Sequence, residues 1–268
     1  MLIRSWNLFH GNAKPPQRRA FLDEMLQLAL ADEPDVLCVQ EVPAWALGRF
    51  SVGDVAARPM AGPLPITRTT GRRLTAVHNG ILRSAFSGQG NAIALSPSLR
   101  VLQHRVLTLN TRRFRRSQSR TLRLSPRVRL AWAKERRIVQ AVRIANADGR
   151  TFLIANTHCT SSPDRRLPDA ELLCAAWFAV SEAKPDDTVV LAGDFNVSVD
   201  TSQTLGELAG PDWGFSQPGP GIDHVLVRGA ASSALHVWPE AQRLLNDPQL
   251  LRNGVLLSDH APVEVNVE

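Results

Sequence analysis

Residues 188–198, TVVLAGDFNVS, begin as an apolar run of strand type and end in Gly193-Asp194-Phe195-Asn196, a polar step that a buried strand has little reason to carry. The same design recurs along the chain. Val36 to Val39 delivers Gln40 and Glu41, and Phe152 to Ala155 delivers Asn156-Thr157-His158. The opening run, Leu2 to Asn7, ends on Asn7, and Val225 to Val227 is entered through Asp223-His224. Ser258-Asp259-His260 stands just before the last run, Val263 to Val267. In sheets covered by helices, loops at strand ends vary while the core fixes their positions, so ligands collect there. Polar residues repeated at such ends predict one shared site.

Asn91 to Leu95, Val101 to Leu109 and Ile138 to Ile144 add further strands. Pro15-Pro16 is read as opening a helix through Phe21, Leu22, Met25, Leu26, Leu28 and Ala29, which Pro34-Asp35 ends. Leu172, Leu173, Ala176, Trp177 and Val180 place a second helix over Asp169 to Ala183, and a short one covers Leu205 to Leu208. Ala56 to Gly90 reads as long connections with one strand around Thr75 to Val77. There are no repeats and no low-complexity linker, so the expectation is a single domain over residues 1–268, with helices covering strand-rich sheets.

No stretch approaches the roughly 20 apolar residues of a membrane span, and MLIRSWNLFHG contains no signal-peptide core. A soluble, cytoplasmic monomer is expected. Cys38, Cys159 and Cys174 have no CxxC spacing and read as reduced, small apolar residues. The net charge of +6 is uneven: Arg100 to Arg137 holds twelve Arg and one Lys against Glu135, a sum of +12, so the rest sums to −6. That excess is either a solvated basic loop and strand edge or a contact surface for polyanions, with Arg112 and Arg113 as candidate contacts.

The residue types at the strand ends suit one reaction. Glu41, Asp194 and Asp259 are hard oxygen ligands for Mg²⁺ or Mn²⁺, with no cationic side chain assigned to neutralise them. Asn7 and Asn196 orient water or phosphate without adding charge. His158 and His260 donate to a phosphoryl group that gains charge in the transition state. No Cys-rich or HExxH spacing points to a zinc site.

At these segments the chain resembles the endonuclease/exonuclease/phosphatase superfamily, which includes exonuclease III, deoxyribonuclease-I-like enzymes and magnesium-dependent sphingomyelinases. The matching segments are SWNLFHG (5–11), VLCVQEV (36–42), GNAIALSP (90–97), IANTHC (154–159), LAGDFNVS (191–198), GIDHVLV (221–227) and SDHAPVEV (258–265), in the family's order. The resemblance implies a four-layered α/β sandwich, two central β-sheets flanked by helices. It implies that Glu41 is the main metal ligand, with Asn7 supporting metal or phosphate and Asp259 beside the metal. Asp194 would orient or deprotonate the attacking water, with Asn196 on the phosphate. His260 would contact the scissile phosphate while Asp223 holds its imidazole, and His158 would be a further phosphate contact. Arg137 stands where some relatives place a substrate-contacting Arg.

The abasic-site endonuclease branch has an Asp where this chain has Phe9, and it uses a catalytic Tyr, whereas this chain has no Tyr. His224 reads as a satisfied core histidine and Asn91 as structural. His10, His78, His104 and His236 receive no role, and Trp6, Trp132, Trp177, Trp213 and Trp238 read as core. The expected function is therefore a metal-dependent phosphodiesterase, first of all an endonuclease or exonuclease on DNA or RNA. The alternatives are a lipid head-group, nucleotide or inositol phosphate phosphoesterase of the same fold, and a non-catalytic nucleic-acid-binding module.

Overall fold

A computed structural model gives the fold and describes residues 1–17, 19–57, 88–133, 135–246 and 254–268. The strand expected around Thr75 to Val77 lies outside the described residues. The chain divides into two compact units, residues 1–96 with 233–267, and residues 97–232 with 268.

In the first unit, strands numbered along the chain form a six-stranded sheet in the order β11-β14-β1-β3-β5-β4. They are β1 (Leu2–Asn7), β3 (Val36–Pro43), β4 (Val52–Ala57), β5 (Gln89–Leu95), β11 (His236–Val237) and β14 (Val263–Asn266). β1 and β3 are parallel, a pairing that needs a crossover, and helix α1 (Leu22–Ala29) supplies it. α1 buries Leu22, Met25, Leu26 and Ala29 in one cluster with Trp6, Leu37 and Val39. The fully buried Arg4 is satisfied by Asp32, Glu264 and the Ala29 carbonyl, tying β1 to β14 and to the end of α1. A smaller sheet joins β2 (Ala13–Lys14), β12 (Leu244–Leu245) and β13 (Val255–Leu257). The helix begins at Leu22 rather than at Pro15-Pro16. Phe21 N instead donates to Gly11 O at 2.8 Å, a tertiary bond that overrides the local preference of the proline pair.

The second unit holds β6 (Arg100–Thr108), β7 (Ile138–Ala145), β8 (Thr151–His158), β9 (Thr188–Asp194) and β10 (Asp223–Arg228), in the order β10-β9-β8-β7-β6. Only β8 and β9 run parallel, and the helix between them covers the sheet, packing Leu172, Ala175, Ala176 and Ala179 with Leu153, Ala155, Val189 and Leu191. Buried Leu205 and Leu208, on a short helix (Gln203–Leu208), complete that cluster.

Two readings need correction. Of the segment Arg100 to Arg137, one reading of which is a solvated basic loop and strand edge, residues 112–133 form a helical hairpin, α2 (Arg112–Thr121) and α3 (Pro126–Ala133). Arg is a good helix former, and Thr111 caps α2 by accepting from Phe114 N at 3.2 Å. The apolar signal is thin: Phe114, Leu122 and Val128 gather round Leu124, Trp132 and Leu167. The helices that follow are α4 (Arg166–Glu182), α5 (Gln203–Leu208) and α6 (Glu240–Arg243). Trp6 and Trp132 are core as expected, whereas Trp177 on α4 is 61% exposed, with its ring 4.8 Å from that of Trp213. Among the described residues no helix is long and apolar enough to cross a membrane.

Candidate functional site

The register of the second sheet lines up charge at one end. His158, the last residue of β8, pairs with Asp194, the last of β9, and Asp194 pairs with Asp223, the first of β10. Arg137 immediately precedes β7 at the same end. His158 Nε2 lies 3.5 Å from Asp194 Oδ2, and both residues are buried. The carboxylate oxygens of Asp194 and Asp223 lie within 4.8 Å of each other. Asn196 adopts a left-handed φ of 55°, which turns its backbone N–H onto Asp194 Oδ1 at 3.0 Å, while its Nδ2 donates to Cys159 O at 3.0 Å. Gly193 has a φ of 139°, and a Cβ there would meet Thr157 O at 1.9 Å, so only glycine lets β9 pass β8 and present Asp194.

Behind this row sits Glu171, fully buried. It accepts from Trp132 Nε1 at 2.6 Å, Thr160 N at 2.7 Å and Thr160 Oγ1 at 2.8 Å. Burial pushes its carboxyl up, against the pull of Trp132, Arg137 and Thr160. Glu171 thus joins the hairpin to the loop that follows His158. Sequence reading assigned it no role, because a carboxylate on an amphipathic helix ordinarily faces water. Arg137 is buried, its Nη2 donating to Glu135 at 2.7 Å, while its Nε and Nη1 are buried without a hydrogen-bond partner among the described residues. His224 is the core histidine expected: fully buried, Nε2 3.3 Å from Val197 O, and pushed toward the neutral form by burial.

In the first unit the corresponding end collects Asn7, Glu41 and Ser258-Asp259-His260. Asn7 Oδ1 accepts from Phe9 N at 3.0 Å, and Ser258 Oγ donates to Asn7 O at 2.7 Å. His260 is set by its backbone: its N–H donates to Ser258 Oγ at 3.1 Å, and its carbonyl accepts from Trp6 Nε1 at 2.9 Å and Arg243 Nη1 at 2.8 Å. Glu41 sits at a φ of 53°, where the pairing of β3 with β5 shifts register between Val39 and Val42, so a bulge aims its side chain. His10, which received no role from sequence, places Nε2 3.1 Å from Glu41 Oε2. Lys14 Nζ lies 3.8 Å from Asp259 Oδ2. The expectation that these carboxylates have no cationic side chain assigned to them is therefore corrected at Asp259, by Lys14, while Glu41 meets a histidine. Arg112 and Arg113 lie exposed in the first turn of α2, outside either row.

The sequence profile described as the Endonuclease/Exonuclease/phosphatase family matches residues 5–260. The chain belongs to this family. Phosphoester hydrolysis is the chemistry of the Endonuclease/Exonuclease/phosphatase family, and its members generally depend on a divalent metal. No curated protein matches the chain by sequence. D. rerio TDP2 complexed with single strand DNA product superposes with a TM-score of 0.60 at 12% identity, over 99% of this chain and 98% of that one. The human Nocturnin catalytic domain with bound sulfate gives 0.56 at 19%, over 100% and 93%. A Bacteroides thetaiotaomicron mannosyl-6-phosphatase gives 0.57 at 14%, over 100% and 99%. At such identities the likeness carries the α/β fold of the Endonuclease/Exonuclease/phosphatase family and leaves the substrate to the site itself.

Proposed function

We propose that the protein is a Mg²⁺- or Mn²⁺-dependent phosphodiesterase acting as a nuclease on DNA or RNA. The metal reading rests on Asp194 and Asp223, strand partners whose carboxylate oxygens lie within 4.8 Å. Two carboxylates so close repel, and a divalent cation relieves them. The donors are hard oxygens. The nearby Cys159 thiol is pushed well up by burial, with Glu171 and Asp194 adding to the shift. Of Asp194 and Asp223, Asp194 is taken as the ligand, a role that the family resemblance extends to Glu41, Asn7 and Asp259 while leaving Asp223 to His260; Asp259 is weakened as a ligand by Lys14. When bound, the ion neutralises charge on the phosphoryl oxygens and lowers the pKa of a coordinated water.

The side chains supply the rest. Asp194, with Oδ1 oriented by Asn196 N, accepts a proton from the attacking water as the new P–O bond forms and the ester P–O bond breaks. His158 and His260 donate to phosphoryl oxygens as negative charge develops there. Asn196 holds Cys159 O through one amide N–H and has a second for the phosphate. Arg137 contributes two buried guanidinium donors to the same end. The role of Asp223 as the partner that orients His260 follows from the family resemblance. A double-mutant cycle with Asp223→Ala and His260→Ala tests it, and multiplicative losses of turnover would dissolve the pair.

The purified protein, assayed with Mg²⁺ and with excess EDTA on single-stranded DNA, duplex DNA, RNA, sphingomyelin and bis(p-nitrophenyl) phosphate, tests the whole reading. Metal-dependent cleavage of a nucleic acid is the expected result. Cleavage confined to sphingomyelin overturns the nuclease assignment, and full turnover in EDTA after metal removal overturns the metal.

A further inference from the structure

The turn that leaves β1 holds three successive residues in the left-handed region, Phe9, His10 and Gly11, at φ values of 45°, 54° and 78°. Glycine accepts that backbone and histidine visits it, but a bulky residue such as Phe9 takes it only where its surroundings force it. The surroundings here are dense. Asn7 Oδ1 accepts from Phe9 N at 3.0 Å, Gly11 N donates to Leu8 O at 2.7 Å, and Asn12 N donates to Phe9 O at 2.9 Å. Phe21 N donates to Gly11 O at 2.8 Å and ties the turn to the start of α1, where a Cβ on Gly11 would meet Leu22 Cβ at 3.2 Å. Leu8 N donates to Gln40 O at 3.0 Å, which fastens the turn beside Glu41. Strained positions fixed this firmly cluster at functional sites.

What the turn achieves is the placement of His10. Its Nε2 lies 3.1 Å from Glu41 Oε2, while its Nδ1 is buried with no hydrogen-bond partner among the described residues, so hydrogen bonds of its own do not account for where the ring sits. Glu41 arrives from β3, the parallel neighbour of β1, through its own left-handed backbone at the bulge. Two strained residues on adjacent strands thus converge on one point. The side chains are 11% and 19% exposed, so the pair keeps an open edge. Around an octahedral ion with bonds of about 2.1 Å, neighbouring donors stand about 3 Å apart, which is the spacing of these two atoms. An imidazole nitrogen is a softer donor than a carboxylate or a water, and it favours first-row transition ions over Mg²⁺.

We propose that His10 is a ligand to the divalent cation, with Nε2 sharing the ion with Glu41 Oε2, and that this nitrogen selects a first-row transition ion such as Mn²⁺ over Mg²⁺. The inference rests on the metal reading of the proposed function and adds a donor that the family resemblance does not supply.

The test is binding of Mn²⁺ to the full chain after its metal has been stripped with EDTA and dialysed away. Electron paramagnetic resonance follows the binding, and electron spin echo modulation reads nitrogen bonded to the ion. The parent should bind Mn²⁺ about tenfold or more tightly than Mg²⁺ in a competition titration and should show the modulation of a coordinated imidazole. His10→Asn is the informative variant, because asparagine tolerates left-handed backbone. It should lose the nitrogen modulation and bind Mn²⁺ about tenfold more weakly, while Mg²⁺ affinity stays within about threefold of the parent. His10→Gly, which the backbone does not oppose, carries the same expectation should the asparagine variant lose the parent's circular dichroism. Modulation that persists without His10 belongs to another histidine and overturns the inference. So does an equal fall in affinity for both ions, which would make His10 a support for the Glu41 carboxylate rather than a ligand. Mn²⁺ bound by the parent without nitrogen modulation removes His10 and leaves the metal reading standing, whereas a parent that binds no Mn²⁺ sinks both.

Discussion

The charged row at the end of the second sheet and the arginine hairpin rooted beside it obey different physics, although they share one unit. In the row, Asp194, Asp223 and His158 are held by strand register, and each is buried or half-buried with its backbone committed to the ladder. Strained positions such as Gly193 and Asn196 are tolerated there because the sheet over-determines them. On the hairpin, the charges stand on solvated helix and are fixed by little beyond the i to i+4 repeat. Chemistry at a single phosphorus needs the first arrangement, because a misplacement of about 1 Å is costly. Attraction of an extended polyanion tolerates the second, because long-range charge does not depend on fine geometry.

This contrast is most sharply exposed at Asp194. Asp194→Asn keeps an oxygen for Asn196 N but removes the base, and kcat should fall by about 10³-fold with the circular dichroism spectrum intact. A fall of less than tenfold would remove Asp194 from the chemistry. Gly193→Ala should act on stability instead. The new Cβ meets Thr157 O in a backbone conformation that alanine avoids, at a cost of about 3 kcal/mol or more in urea unfolding. A variant as stable as the parent would show that β8 and β9 yield at this point.

Glu171 joins the two regions and supplies a pH test. Its folded pKa is raised by burial, so the native state holds its proton to higher pH than the unfolded chain does. Stability should therefore decline as pH rises from the ordinary carboxylate range through the raised value, and Glu171→Gln should flatten that decline. Parallel pH profiles for the two proteins would mean that Glu171 titrates normally. The smallest effect separates the arginines. Arg115→Ala, which strips a bond to Asn110 O, should cost about 1 kcal/mol, whereas Arg116→Ala should stay within about 0.5 kcal/mol of the parent. Equal costs in thermal or urea melts would erase the distinction between the hairpin's structural arginine and its exposed ones.

What the sequence determined by itself was the set of strand ends and the residue types they carry. An apolar run closed by Glu41, His158 or Asp194 is a local pattern, and burial energetics make it readable without knowing what pairs with it. The family match over residues 5–260 and the order of the strands agree with that reading. Tertiary structure decided what depends on partners distant in the chain. His10 meets Glu41 across 31 residues because both take left-handed backbone, His10 just past the end of β1 and Glu41 at the bulge in β3. Lys14 reaches Asp259, Glu171 turns inward to Trp132 and Thr160, and Arg115 parts from its neighbours to hold Asn110, none of which a local pattern encodes. Trp177 is the plainest case. Its spacing on α4 is that of a core residue, and the packing of α2 and α5 alongside leaves it lining a groove, 61% exposed among the described residues.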